Sequence, residues 1–526
     1  MRLAITTPLA MSLALLTAAV GEAALAQAPS ADSVRRAVRG YHQAHNAAIL
    51  RELVDLLAIP NVARDSANIR RNAAALVSML ERRGVTARIL EGPGSPPAVF
   101  GELRTPGATR TVMFYAHYDG QPVDTASWAS PPWRPVLRDA ALDAGGREVP
   151  IPTGARAALG DEWRLYARSA SDDKSPIVAM LTALDALKAA GIRPSVNLKF
   201  FFEGGEEAGS PRLDEMLARH RDALRADVWL FCDGPVHQSR EQQVVFGVRG
   251  VMGVDLTVYG PDRALHSGHY GNWAPNPGAL LVSLLASMRD ADGRILIAGF
   301  GSDVRAMSDA ERAAIAAVPS SDEALRGELA LGATEAGGAP LLERIMMPAL
   351  NIQGLRMGGV GPDATNTIHT TARAALGFRL VPDQTPERMR ALVEAHVRAQ
   401  GYHIVGEEPT DSVRRAHPRV ARLAWSDGYS GLRTDMTLPV SRAILRTASE
   451  AIGRPVIAVP MLGGSLPLST FETTLRAPLI IVPIVNHDNA QHASNENLRL
   501  KNLWDGIELY GAIMARLAWE EVGATN

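Results

Sequence analysis

Short apolar runs that end in histidine or carboxylate residues, alternating with amphipathic helical stretches, commit this chain to a layered α/β fold. Residues 33–57 and 68–83 carry helical periodicity, 97–103 and 110–116 read as strands, 174–190 as a helix, 196–202 as a strand, 212–224 as a helix and 228–231 as a strand. That alternation predicts a largely parallel sheet flanked by helices.

From about Gly250 the pattern changes. Strands at 252–259, near 350–355 and at 372–380, with helices at 277–289 and 386–400, describe an α+β unit set into the first domain. The α/β style returns with a helix at 439–452, a strand at 478–485 and a terminal helix at 503–521. The expected division is a signal peptide at 1–28, a catalytic domain in two parts at 29–249 and 433–526, and an inserted lid and dimerisation domain at 250–432. A length of 526 residues is too great for one hydrophobic core, which agrees with more than one domain. The Ala- and Gly-rich excursion at 294–342 receives no function.

Arg2, an apolar run from Leu9 to Val20 and Ala26-Gln27-Ala28 before Pro29 form the three zones of a secretory signal. The run is short for a membrane span, so the expected product is a periplasmic or secreted protein without stable membrane insertion. Cys232 is the only cysteine and excludes an internal disulfide. A net charge of -2 gives no surplus for binding a polyanion, so nucleic acid is not an expected partner.

Chemistry concentrates in five stretches: AHYDGQP at 116–122, SASDDKSP at 169–176, EGGEEAGS at 203–210, LFCDGP at 230–235 and HDNAQHASNE at 487–496. Singly, each has a plain alternative. An H-x-D is often a bonded turn, Asp172-Asp173 a helix cap, a Glu pair a solvated strand edge, Asp233-Gly234 a turn, and His492 the lead-in to a capped helix. Jointly they place His117 and Asp119, Glu206 and Glu207, and Asp233 at strand ends, with Asp172 at a helix start. The carboxyl ends of strands are where open α/β sheets bind ligands. Imidazole and carboxylate are the donors of a two-zinc hydrolytic site.

In their order these motifs resemble the co-catalytic zinc exopeptidases and deacylases, a family that includes carnosinases, carboxypeptidase G, acetylornithine deacetylase and succinyl-diaminopimelate desuccinylase. The likeness runs from about His42 to the C-terminus, and the dipeptidase branch is the nearest. It is carried by His117-x-Asp119, Ser171 to Lys174, Glu206 to Ser210, Asp233, His266 to Gly268, Arg379 to Pro382, Gly463 to Ser465 and His492 to Glu496. The resemblance implies two Zn²⁺ per subunit, bridged by Asp172, with His117 and Asp233 on one ion and Glu207 and His492 on the other. It implies Glu206 as general base and acid, Asp119 as the group that orients His117, and His266 as an oxyanion donor, often from the partner subunit of a homodimer. Arg379, Gly463, Gly464 and Ser465 match positions that take the substrate's free carboxylate, and Asn366 is a further substrate-binding candidate. The expected substrate is a small peptide, with N-acyl amino acids as the alternative.

Departures cluster at one loop: Ala167-Arg168-Ser169 stands for the usual Gly-Arg-Gly, and Ser175 for the glycine after Asp-Asp-Lys. Gly205 replaces a common acidic residue, and Asn272 and Trp273 interrupt a glycine-rich stretch. Two rival readings compete with this one. Ser171-x-x-Lys174 also fits the serine nucleophile of penicillin-binding proteins, but no K-T-G follows, since the only lysine after Lys199 is Lys501. A metal- or peptide-binding protein that lost turnover would have no use for a free carboxylate such as Glu206.

Overall fold

The computed structural model describes residues 29–520, so the signal segment at 1–28 lies outside it. The central sheet has eight strands in the spatial order 86–92, 95–103, 197–203, 111–117, 228–231, 479–481, 243–245, 457–459. The four in the middle, Asn197–Glu203, Thr111–His117, Val228–Phe231 and Leu479–Ile481, are mutually parallel. Antiparallel neighbours continue the sheet on each side, so the whole is mixed.

Both faces of the middle strands are covered, which is why they read as continuous apolar runs. Val112, Phe114 and Ala116 join Leu198, Phe200, Leu230 and Cys232 in one core, against the helices Ala31–Leu57, Lys174–Ala189 and Leu500–Arg516. Met113, Tyr115, Phe201, Trp229 and Phe231 point the other way, as the two-residue period of a strand requires, and pack on Phe471 of the helix Leu468–Leu475. The parallel register sets His117 opposite Glu203 and Tyr115 opposite Phe231. The residues that follow these strands therefore emerge along one edge.

A second sheet is built wholly from residues between 250 and 425, in the order Ala349–Arg356, Thr371–Leu380, Gly250–Tyr259, Val420–Trp425, His403–Val405. The helices Pro277–Met288 and Pro386–Ala399 cover one face through Leu281, Leu284, Met389 and Val393 against Val254, Leu256 and Phe378. Arg379, one residue beyond Phe378, faces away from that core.

The 294–342 excursion straps the two units together. Its helix Asp309–Ala317 starts with a capping box between Ser308 and Glu311 and packs near the strand Ile457–Val459. Buried Glu311 meets the buried guanidinium of Arg433 at 2.9 Å, on the short strand by which the chain re-enters the first unit. Arg305 pairs with Asp383 of the second unit at 2.6 Å. Among the described residues no helix is long and apolar enough to cross a membrane.

Several elements differ from expectation. The strand Thr86–Gly92 was not anticipated, because it is an edge strand with mostly exposed or half-buried side chains. The expected helix at 212–224 breaks at His220 into two pieces. The strand expected at 478–485 is regular only over Leu479–Ile481; Pro483 has no N–H to give to a ladder.

Candidate metal centre

Four side chains from strand and loop ends, His117, Glu207, Asp233 and His492, gather around Asp172. His117, the last residue of its strand, donates from Nε2 to Asp172 Oδ1 at 2.8 Å. His492 Nε2 lies 3.1 Å from the other oxygen, Asp172 Oδ2, and 3.2 Å from Glu207 Oε2. Asp233 Oδ2 is 3.9 Å from His117 Nε2. One carboxylate thus spans two imidazoles, with a further carboxylate beside each. The ligand atoms of His117, Asp172 and Glu207 lie within 4.8 Å of one another, as do those of His117, Asp173 and Asp233. His492 has a side chain 57% exposed while Asp172 is 3% exposed, so the cluster opens to solvent on the His492 side.

Asp119 has more to do than orient the ring of His117. Its carbonyl is the nearer partner of His117 Nδ1, at 3.2 Å against 3.5 Å for Oδ1. The two carboxylate oxygens accept from the backbone N–H groups of Glu206 (3.1 Å) and Glu207 (3.0 Å), which fixes the short turn carrying both glutamates. From that turn the side chains part. Glu207 reaches His492 and accepts from Gln121 Nε2 at 2.7 Å. Among the described residues, no group donates a hydrogen bond to the Glu206 carboxyl.

The loop before Asp172 answers the question its missing glycines raised. Ser169 adopts φ 62°, a left-handed conformation that costs a non-glycine residue free energy. Buried Glu496 supports it by accepting from Arg168 Nη1 (2.8 Å) and from the backbone N–H groups of Ser169 (2.9 Å), Ser171 (3.0 Å) and Asp172 (2.9 Å). Asn61 Nδ2 donates to Ser169 Oγ at 2.8 Å. That hydroxyl stands where a Cβ on Gly120 would fall, 2.4 Å away, so Gly120 must lack a side chain. Ser175 lies inside the helix Lys174–Ala189 and has no positive φ to sustain.

Electrostatics favour a cation at this cluster. Burial, followed by the charge of Asp172, pushes Glu207 up to about 7 and Asp233 up to about 6. Burial first, then the charges of Asp233 and Asp172 against an opposing His117, hold Glu206 well above the ordinary carboxylate range. Burial also opposes ionisation of Asp172, but hydrogen bonds from His117 and His492 outweigh it and keep this carboxyl below its usual value. Buried carboxyl groups crowded around two imidazoles repel one another unless cations sit among them. Hard oxygen and borderline nitrogen donors of this kind fit divalent metal ions.

Lys174 and Ser171 turn away from the cluster. Lys174 Nζ is buried and donates to the carbonyls of Leu56 (2.9 Å) and Ile59 (3.2 Å) at the end of the first helix, while Ser171 Oγ donates to Asn497 O at 2.8 Å. A serine-lysine nucleophile pair is therefore not formed. Arg379 Nη1 donates to Ser465 Oγ at 2.6 Å, which joins the second sheet to the Gly463, Gly464, Ser465 turn. His266 and Asn366 adjoin each other on a small two-stranded ribbon, where the N–H of Ser267 donates to Asn366 O at 2.9 Å. Both are exposed, and among the described residues neither contacts the metal-ligand cluster.

Sequence reading passed over Gln491, which donates to Asp172 Oδ2 at 2.9 Å, as well as Gln121, Tyr429 and the bonding of Glu496. Gln121 and Gln491 lie beside motif residues, a signal that was available. Tyr429 carried none: its backbone pairs with Val251, and its phenol is pushed up to about 12 by burial and then by the Glu206 charge, with Arg379 opposing.

Comparison with known proteins shows which family the chain belongs to. The chain is 25% identical over 458 residues to the Cys-Gly metallodipeptidase dug1 of Schizosaccharomyces pombe, covering 84% of this chain and 88% of that one. It is 25% identical over 434 residues to the human Beta-Ala-His dipeptidase, covering 80% and 78%. Among solved structures it resembles the M20 family metallo-carboxypeptidase Sso-CP2 from Sulfolobus solfataricus, with a TM-score of 0.71, 25% identity, and coverage of 89% and 98%. Human carnosine dipeptidase 1 shares the fold, with a TM-score of 0.67, 23% identity, and coverage of 93% and 100%. The model of peptidase family M20/M25/M40 matches residues 113–516, a span that holds every metal-ligand candidate, and the chain belongs to that family of peptide-bond hydrolases.

Proposed function

We propose that this protein is a two-zinc dipeptidase that cleaves the amide bond before a C-terminal amino acid with a free carboxylate. The observation that carries the reading is the Asp172 carboxylate spanning His117 and His492, with Glu206 on the short turn that also carries Glu207. His117, Asp172 and Asp233 would hold one ion, and Asp172, Glu207 and His492 the other. When bound, the ions supply a water that ionises near neutral pH and polarise the scissile carbonyl. Glu206 takes the proton of the attacking water and passes it to the leaving amine, the task of a carboxylate that holds no metal and accepts no hydrogen bond among the described residues. Asp119 keeps His117 and the 206–208 turn in place. Arg379 and the Gly463, Gly464, Ser465 turn receive the substrate carboxylate through a guanidinium and the exposed backbone of a turn.

Two relatives named for dipeptides, Cys-Gly and Beta-Ala-His, favour that substrate length. The test is hydrolysis of a panel of dipeptides and N-acyl amino acids by the purified chain lacking residues 1–28. Dipeptide cleavage well above that of N-acyl amino acids is the expected result; the reverse order would make the protein a deacylase. Export of the chain, with the protein periplasmic or secreted, rests on the sequence of residues 1–28.

We also infer a homodimer in which His266 serves the partner's site. The edge strand Ala349–Arg356 leaves one side of its ladder unpaired, and the same unit exposes Trp273 (80%), Val282 (61%), Leu355 (58%) and Val360 (86%). An unpaired edge beside exposed apolar side chains favours association. Mixing Glu206→Gln chains with His266→Ala chains should recover activity that neither has alone, because a mixed dimer keeps one complete site. No recovery from a mixture shown by sedimentation to have exchanged subunits contradicts this arrangement.

A further inference from the structure

Arg379 shares its turn with a second arginine. Arg249, at the point where the chain leaves the first unit, donates from Nε to Gly463 O at 3.2 Å, and its backbone N–H donates to Gly464 O at 3.1 Å. Arg379 holds the far end of the same turn through Ser465. A Cβ on Gly463 would come within 3.4 Å of Arg249 Nη2 and 3.3 Å of Ile345 Cδ1, so the glycine lets both groups close on the turn.

Neither guanidinium has a carboxylate partner within 4 Å among the described residues. The more deeply buried arginines Arg164, Arg168 and Arg433 each do, with Asp488, Glu496 and Glu311. Burial first, and then repulsion from Arg379, bring Arg249 down to about 10. Two half-buried cations sharing a turn with neutral partners make a site for anions from outside. One substrate carboxylate answers Arg379 and Ser465 and leaves Arg249 without a counter-charge.

We propose that this subsite takes a C-terminal residue bearing two carboxylates, so that dipeptides ending in Asp or Glu are the preferred substrates. The proposal rests on the carboxylate-site reading above. The α-carboxylate meets Arg379 and Ser465, and the side-chain carboxylate meets Arg249. The amide isosteres Asn and Gln fill the same space and lack the second charge, so the comparison isolates that charge.

The experiment compares kcat/KM for Ala-Glu against Ala-Gln, and Ala-Asp against Ala-Asn, with the zinc-loaded protein and its Arg249→Gln and Arg249→Lys variants. The acid-to-amide ratio is taken within one preparation, so a partly misfolded variant does not distort it. The expected ratio for the unaltered protein is about tenfold or more, the worth of a charge-assisted hydrogen bond. It should fall to about one in Arg249→Gln and recover in part in Arg249→Lys. A ratio near one in the unaltered protein overturns the proposal, as does an Arg249→Gln variant that weakens acid and amide peptides equally. Failure to cleave any of the four peptides, or Ala-Leu, would instead contradict the dipeptidase reading itself.

Discussion

Glu206→Gln should lower kcat by about a hundredfold to ten-thousandfold, the span associated with losing a positioned general base and acid, while the protein still binds metal. The separation of these two properties is the informative part. Asp119 holds the 206–208 turn through the backbone of Glu206 and Glu207, and those bonds survive the change of side chain. Glu207 remains directed at His492, so the ligand set is intact. Since no neighbour among the described residues donates to the Glu206 carboxyl, replacing it with an amide leaves no partner stranded and folding stability should hold. Metal content by elemental analysis and kcat on the best dipeptide check both halves. Loss of metal along with activity would make Glu206 a ligand rather than the proton carrier.

Asp172→Asn should remove metal and activity together. Its two oxygens face different histidines, His117 at 2.8 Å and His492 at 3.1 Å, so both metal positions depend on one side chain. An amide offers one weaker donor oxygen and carries no charge to offset the cations. Lewis-acid assistance is worth several kcal/mol, and about 1.4 kcal/mol is a factor of ten in rate, so activity should fall by roughly a thousandfold or more. His117 and His492 lose an anionic partner as well, and added zinc should restore little. Undiminished metal binding in Asp172→Asn would contradict a bridging role.

What the sequence made legible follows a physical division. His117, Glu206, Glu207 and Asp233 were readable because each ends or follows an apolar strand, and parallel strands in register deliver their carboxyl ends to one edge. Glu496 was readable as part of a motif but not as the acceptor that organises the Asp172 loop. Its position depends on Asn497 pairing with Tyr166 across a small four-stranded sheet whose strands are two or three residues long, too short to show a period. Arg249 and Tyr429 were illegible for a related reason. Both flank the junction of the two units, and their neighbours come from segments far away in sequence. The alternation of Thr371–Leu380 was clear, and it correctly separates Arg379 from the apolar face. Which partner meets that arginine depends on how the two units sit together, and periodicity within one strand is silent on that.

The most direct measurement is a zinc titration of metal-free protein, following dipeptide hydrolysis against bound zinc per chain. The account predicts negligible activity without metal and a rise that saturates at two equivalents. Full activity in the metal-free protein, or saturation at one equivalent with no effect of a second, would contradict a centre in which Asp172 joins two ions.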